Sequence, residues 1–278
     1  MTAGTALARR TALRAYARCF SRPRAASWNR LLFDLSLRGL GMMNYENGRA
    51  SGEDWLLGRV VRAFPQPTVL DVGGNVGAYA TAIKRLDPAA SVYCFEPHPA
   101  TFDRMRLAAE RWRFVPVNVG LSDDEGILEL HDYGGRPDGT AHASLHKGVI
   151  EELHHAVSAS QKVAVTTLDR FLDKGAISRV NLLKIDTEGH EYQVLAGARE
   201  ALGRGEFDVI HFEFNEMNVL TRHFLRDFRS VLPDFTLHRL LPRGLLALPK
   251  DEPPMRQEVF AYQNIVAIRE SAADVISG

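Results

Sequence analysis

Four carboxylates stand where short apolar runs give way to turns. They are Asp71 in Val69-Leu-Asp-Val-Gly-Gly-Asn-Val-Gly77, Glu96 in Cys94-Phe-Glu-Pro97, and Asp186 and Glu188 in Leu182-Leu-Lys-Ile-Asp-Thr-Glu-Gly-His-Glu191. Acids at the ends of apolar segments are costly to bury unless paired or used, so the set marks a site. Asp71 can accept hydrogen bonds from a cationic or hydroxyl-bearing group. Gly73 and Gly77 let the backbone turn tightly and approach a ligand, with Asn75 between them. Glu96 lies roughly 20 residues past that loop, where a carboxylate can accept both hydroxyls of a ribose. Pro97 stiffens the turn, and Phe95 can wall a flat ring. Ser122 and Asp123, in Asn118-Val-Gly-Leu-Ser-Asp123, suit the edge of such a ring and equally suit a structural turn. Asp186 or Glu188 can orient or deprotonate a bound hydroxyl, although Glu188 also suits the start of a following helix.

The elements that must position these residues follow from the hydrophobic period. Apolar runs at 68–71, 91–95, 114–119, 180–185 and 207–214 alternate with segments whose apolar residues share one helical face, such as Val76, Ala80, Ile83 and Leu86. That alternation predicts βαβ units and a parallel sheet, completed by strands at 235–241 and 259–268. A helix carrying Val194, Leu195, Ala198 and Leu202 is predicted after Asp186, and another over 217–232. Segments 126–131 and 162–168 alternate apolar and polar residues and read as further strands, the first beside the main sheet. Between them, 132–161 is rich in glycine and histidine and predicts an insertion or lid over the site. Ser51 with Asp54 three positions on predicts a helix start, closed by Pro65 and Pro67.

Composition narrows the classes. The chain has 278 residues, 45% hydrophobic, enough for one core and a small extension. Its 34 Lys+Arg balance 34 Asp+Glu, which argues against a whole-domain grip on nucleic acid. No apolar run reaches the ~18 residues of a spanning helix, so no integral membrane segment is expected. Cys19 and Cys94 stand far apart, which excludes a disulfide framework or a cysteine-rich zinc site and fits a reducing, cytoplasmic setting. Seven arginines precede the first acid, Asp34. They predict a helical extension over residues 1–50 packed on a domain of 51–278, with a transit peptide or peripheral membrane contact as other readings. Glu213 with Asn215, and His142 with His146, have partial metal-ligand spacing; no metal is expected at either.

A dinucleotide fingerprint needs its second glycine where Asn75 stands, and an acid before the loop is unfavourable beside a diphosphate. The D-x-G-x-x-x-G spacing instead resembles the first motif of Rossmann-like methyltransferases. Together with Phe95-Glu96-Pro97, Leu121-Ser122-Asp123, Thr167-Leu168-Asp169 and Lys184-Ile-Asp-Thr-Glu-Gly189, in that order, the chain resembles the FkbM-type methyltransferases over roughly residues 45–268. The K-I-D-x-E-G block with Gly197-Ala198 downstream is the most specific part. The resemblance implies an α/β fold with a Rossmann-like, doubly wound, mostly parallel seven-stranded sheet, S-adenosylmethionine as methyl donor, and O-methylation of a small molecule, sugar, glycan or natural product. Asp71, Gly73, Asn75, Gly77, Glu96, Ser122 and Asp123 are then the expected cofactor residues, with Asp186 and Glu188 nearest the acceptor. A nicotinamide-dependent oxidoreductase and a non-catalytic nucleoside-binding protein are the other readings of this architecture.

Overall fold

A computed structural model describes residues 3–133 and 143–277. Helices α1 (Ala3–Phe20), α2 (Ala26–Gly39), α3 (Gly48–Ser51) and α4 (Glu53–Ala63) lead into β1 (Thr68–Val72), α5 (Ala78–Leu86), β2 (Ser91–Phe95), α6 (Pro99–Trp112) and β3 (Val115–Val117). The chain continues through β4 (Gly120–Leu121), β5 (Gly126–Tyr133), β6 (Ser158–Thr166), α7 (Leu168–Gly175), β7 (Val180–Ile185), α8 (Glu191–Ala196), α9 (Arg199–Gly203) and β8 (Phe207–Phe214). It closes with α10 (Met217–Thr221), α11 (Leu225–Val231), β9 (Phe235–Leu241), β10 (Gly244–Ala247), α12 (Pro254–Gln257), β11 (Gln263–Arg269) and α13 (Ala273–Ser277). No helix among the described residues is long and apolar enough to cross a membrane.

The main sheet has the order β10-β9-β11-β8-β7-β1-β2-β3. Strands β1, β2, β3, β7 and β8 run parallel, while β11 lies antiparallel to both β8 and β9. From β1 the chain winds outward to β3, then returns to β7 on the other side of β1. Strand order therefore reverses at β1 and β7, where a crevice opens beyond their carboxyl ends. The alternation of apolar runs has this outcome because β1, β7 and β8 are buried on both faces. One face packs Leu70, Leu183 and Ile210 under Leu168, Val194 and Leu195. The other packs Val69, Leu182 and Val209 under Leu57, Ala80 and Met105.

The seven expected strands are present, and an eighth is added: Pro242-Arg243 turns the chain so that β10 pairs antiparallel with β9. Strands β4, β6 and β5 form a separate three-stranded sheet. The main sheet ends at β3, a three-residue strand whose middle residue, Pro116, has no N–H to donate. The helix predicted over 217–232 is two helices, because Arg222 adopts φ 59° and Asp227 Oδ2 accepts the Phe224 N–H at 2.8 Å to start a new one. The helix after Asp186 likewise breaks at Gly197, whose backbone is packed against Ser122 O. Ser51 ends α3 rather than starting α4, whose N-cap is Gly52 at φ 92°. Of the predicted lid, residues 134–142, His142 included, lie outside the described residues; β5 and β6 extend into the remainder.

Candidate functional site

The glycine loop after β1 is held by its neighbour strand. Gly73 and Gly74 N–H groups donate to Phe95 O at 3.1 and 2.9 Å, and Gly77 N–H donates to Gly74 O at 2.8 Å. Two of these glycines are obligatory for packing. A Cβ on Gly73, at φ 78°, would lie 1.8 Å from Asp186 O, and one on Gly74 would lie 2.1 Å from Cys94 Sγ. Asn75 takes a left-handed φ of 49°, tolerable for asparagine. Its N–H donates to Glu96 Oε2 at 3.0 Å, and the His98 N–H donates to Glu96 Oε1 at 2.8 Å. Each Glu96 oxygen keeps a further acceptor site. Burial pushes the Glu96 carboxyl up to about 7, against the opposing pull of those two N–H donors.

The loop after β7 is the second wall. Asp186 N–H donates to Val72 O at 2.9 Å, which continues the sheet one residue past the strand. Glu188 and Gly189 then reverse the chain at φ 54° and 102°. Buried Glu191 holds this reversal: its Oε1 accepts from Thr187 N, Thr187 Oγ1 and Gly189 N at 2.9, 3.0 and 3.2 Å. Burial raises its carboxyl to about 7. From above, Ser144 Oγ donates to Glu188 O at 2.6 Å, while its backbone pairs with His131 on β5. The described part of the expected lid is thereby anchored to the Asp186–Glu191 loop.

Two cavities meet at Gly73, Asn75 and Asp186. The first, about 570 Å³, runs between Phe95, Glu96 and Pro97 on one side and Gly120, Leu121, Leu130 and Leu145 on the other, with Glu188 at its edge. Its described lining carries three carboxylates and no basic side chain. The second, about 970 Å³, is lined by Glu53, Asp71, Tyr79, Lys184, Glu213 and Tyr262 among others. Lys184 Nζ donates to Asp186 Oδ2 at 2.8 Å, lies 3.9 Å from Glu53 Oε1, and sits over the Tyr79 ring at 5.1 Å. Burial opposes its charge, but Asp186, Glu53, Glu213 and Asp71 together hold its ammonium well above the usual lysine range. Burial raises the carboxyls of Asp71, Glu53 and, most strongly, Glu213, whose shift nearby Asp186 increases. Asp71 Oδ2 accepts from Cys94 Sγ at 3.3 Å.

The residues singled out from sequence divide accordingly. Gly73, Asn75 and Asp186 border both cavities, Glu96 and Glu188 the first, and Asp71 the second. Gly77, Ser122 and Asp123 line neither. Gly77 is the N-cap of α5 at φ 80°, and a Cβ there would lie 2.7 Å from the Phe114 ring and 3.3 Å from Met105 Cγ. Ser122 is buried and its Oγ is shared between Asp123 Oδ1 at 3.0 Å and His190 Nε2 at 2.9 Å. Asp123 is exposed. Asn215 is a turn residue, its Oδ1 accepting the Met217 N–H at 2.9 Å. Glu53, Tyr79, Lys184, Glu191 and Tyr262 were not singled out. Lys184 and Glu191 stood inside the Asp186 motif, and for Lys184 a charge within a buried strand was an available signal; Glu53 and Tyr262 had none.

The donor set decides between nucleotide chemistries. A diphosphate would face three carboxylates in the first cavity and five, against one paired lysine, in the second. A nucleoside without phosphate, bearing a sulfonium and an ammonium beside a single carboxylate, brings net positive charge to the same places. The sequence profile of the methyltransferase FkbM domain matches residues 71–234, more than half of the chain. The chain belongs to the FkbM methyltransferase family. It is 30% identical over 193 residues to the 2-O-methyltransferase NoeI of Sinorhizobium fredii, covering 65% of this chain and 77% of that one. It is 31% identical to the hexuronic acid methyltransferase AglP of Haloferax volcanii, covering 50% of this chain and 53% of that one. It is 28% identical to the 31-O-demethyl-FK506 methyltransferase FkbM of Streptomyces tacrolimicus, covering 51% of this chain and 63% of that one. The chain thus spans only about half to two thirds of the last two relatives. This FkbM-family protein is an S-adenosylmethionine-dependent methyltransferase.

Proposed function

We propose that this methyltransferase transfers a methyl group to a sugar hydroxyl. The observation that carries the reading is the polar cavity of Glu53, Lys184, Glu213 and Tyr262, joined to the Glu96 cavity at Asp186. S-adenosylmethionine supplies the activated methyl when bound. Glu96 holds the ribose hydroxyls through its remaining lone pairs, and Phe95, Leu121 and Leu130 cover the base. Asp71 and the Gly73–Asn75 backbone hold the amino-acid end. Asp186, oriented by Lys184, accepts the hydrogen bond of the acceptor hydroxyl, aligns its oxygen for attack, and takes up the hydroxyl proton as the oxygen gains the methyl and the donor leaves as the neutral thioether. Glu188 forms the outer wall of the donor side. Polar, hydrogen-bonding walls suit a polyol better than an apolar polyketide, since unpaired buried hydroxyls and carboxyls are penalised. The name of one relative, a hexuronic acid methyltransferase, agrees with this choice.

Incubation with methyl-labelled cofactor and cell extract, followed by mass spectrometry of the labelled product, tests it. The expected product carries the label as a methyl ether on a sugar ring. Label on nitrogen, on carbon, or on a molecule without a sugar overturns the reading.

A further inference from the structure

Helices α1 and α2 contribute nothing to either site cavity, and their surface differs from the rest of the chain. The first 40 residues hold eight arginines and one acid, Asp34, a net +7 in a chain whose overall charge is zero. The remaining residues therefore carry a net −7. The two helices form a hairpin: Tyr16 OH donates to Asn29 Oδ1 at 2.6 Å, and Asn29 Nδ2 donates to Phe20 O at 3.0 Å.

Spacing sorts each helix into faces. On α1, Arg10, Arg14 and Arg18 recur every fourth residue along one face, about a third of a turn from Leu13, Tyr16 and Phe20, among which Arg9 also falls. On α2, Trp28, Leu31 and Leu35 follow the i, i+3, i+7 pattern and are 51, 48 and 56% exposed. All eight arginines are exposed, and among the described residues only Arg38 has a salt-bridge partner, Glu46. Guanidinium groups beside an aromatic and aliphatic stripe are the chemistry of a helix lying in the headgroup layer of an anionic bilayer. Arginine pairs with lipid phosphates while tryptophan and leucine reach the acyl boundary. Nucleic acid would use the arginines and leave the apolar stripe in water. A symmetric second copy would bury the stripe but face arginine with arginine.

We propose that the α1–α2 hairpin docks this methyltransferase on an anionic lipid surface. The segment that follows the hairpin reaches the site: Met42 bridges to Gln263, and Met43 N–H donates to the carbonyl of Tyr262, a wall of the second cavity, at 2.7 Å. The inference does not depend on which acceptor is methylated.

Co-sedimentation of the full chain with phosphatidylcholine vesicles, with and without phosphatidylglycerol, tests the proposal. The protein should pellet only with the anionic vesicles, and less so as salt rises. Arg14→Glu with Arg18→Glu should weaken that binding by about fivefold or more per arginine. Trp28→Ser with Leu31→Ser and Leu35→Ser should weaken it at least as much. S-adenosylhomocysteine affinity, unchanged in both variants, reports that the fold is intact. Failure to pellet with anionic vesicles, equal pelleting without phosphatidylglycerol, or retained pelleting by either variant overturns it. So does tighter binding to an RNA or DNA oligonucleotide than to the vesicles, or stripe-dependent dimerisation without vesicle binding.

Discussion

Replacing Glu96 with glutamine removes one negative charge from the first cavity and leaves only one oxygen to serve two backbone donors. In the wild type those donors are Asn75 N–H at 3.0 Å and His98 N–H at 2.8 Å. Ribose hydroxyls on a carboxylate make charge-assisted bonds, so the change should cost about 2–3 kcal/mol, or roughly 30- to 150-fold in Kd for S-adenosylhomocysteine. The pH dependence separates this from a general loosening. Burial lifts the Glu96 carboxyl of the free protein to about 7. Ribose hydroxyls donate to the ionised form, so binding lowers that pKa and releases a proton below neutrality. Wild-type affinity should be flat above about pH 7 and fall by up to about tenfold per pH unit below it. Calorimetric titration across that range, in two buffers of different ionisation enthalpy, measures the affinity and the released proton together. Glu96→Gln should bind weakly and without this slope. Wild-type-like affinity in the variant, or the same slope, would mean that the ribose is held elsewhere.

Other perturbations probe the remaining parts of the site. Asp186→Asn should lower single-turnover methyl transfer by roughly 10²- to 10⁴-fold while leaving S-adenosylhomocysteine affinity nearly unchanged; equal losses in both would make it a cofactor ligand only. Gly74→Ala sets a Cβ 2.1 Å from Cys94 Sγ and should destabilise the fold by ~1–3 kcal/mol in thermal or denaturant unfolding. Adding Cys94→Ala should recover most of that loss, and no recovery would indicate that the loop, not the sulfur contact, sets the cost. Burial and then the like charge of His146 lower the His190 imidazole to about 4. The folded state therefore resists a proton that the unfolded chain takes near 6.5. This contribution is complete above about pH 6.5 and lost as the pH falls to about 4, ~3 kcal/mol in total. His190→Asn should remove that share of the acid limb of stability; an unchanged limb would show that the ring is protonated without penalty.

The parts of the fold that sequence announced are those where one strand sets its own pattern. Strands β1, β2, β7 and β8 are buried runs between glycine or proline turns, and their tips carried Asp71, Glu96 and Asp186 in plain sight. Fusing the helices after Asp186 and across 217–232 followed from reading period alone. Their breaks come from long-range packing of Gly197 on Ser122 and from the left-handed Arg222. Gly77, Ser122 and Asp123 belong to the motifs but line neither cavity: Gly77 starts α5, and Ser122 Oγ bonds both Asp123 and His190. Glu53 and Tyr262 reach the second cavity from opposite ends of the chain. Only the order of the sheet brings them together, so no local spacing could reveal them. The motif spacing named Gly73 and Gly77 but not Gly74, whose need for a missing side chain comes from Cys94 on the neighbouring strand.

A crystal structure of the full chain with S-adenosylhomocysteine examines the division of labour between the two cavities. The nucleoside should lie between Phe95 and Leu121 with both ribose hydroxyls on Glu96, and its sulfur should point past Asp186 toward Lys184 and Glu213. Density for the nucleoside in the Lys184 cavity, or a ribose without contact to Glu96, would reverse the assignment of donor and acceptor sides.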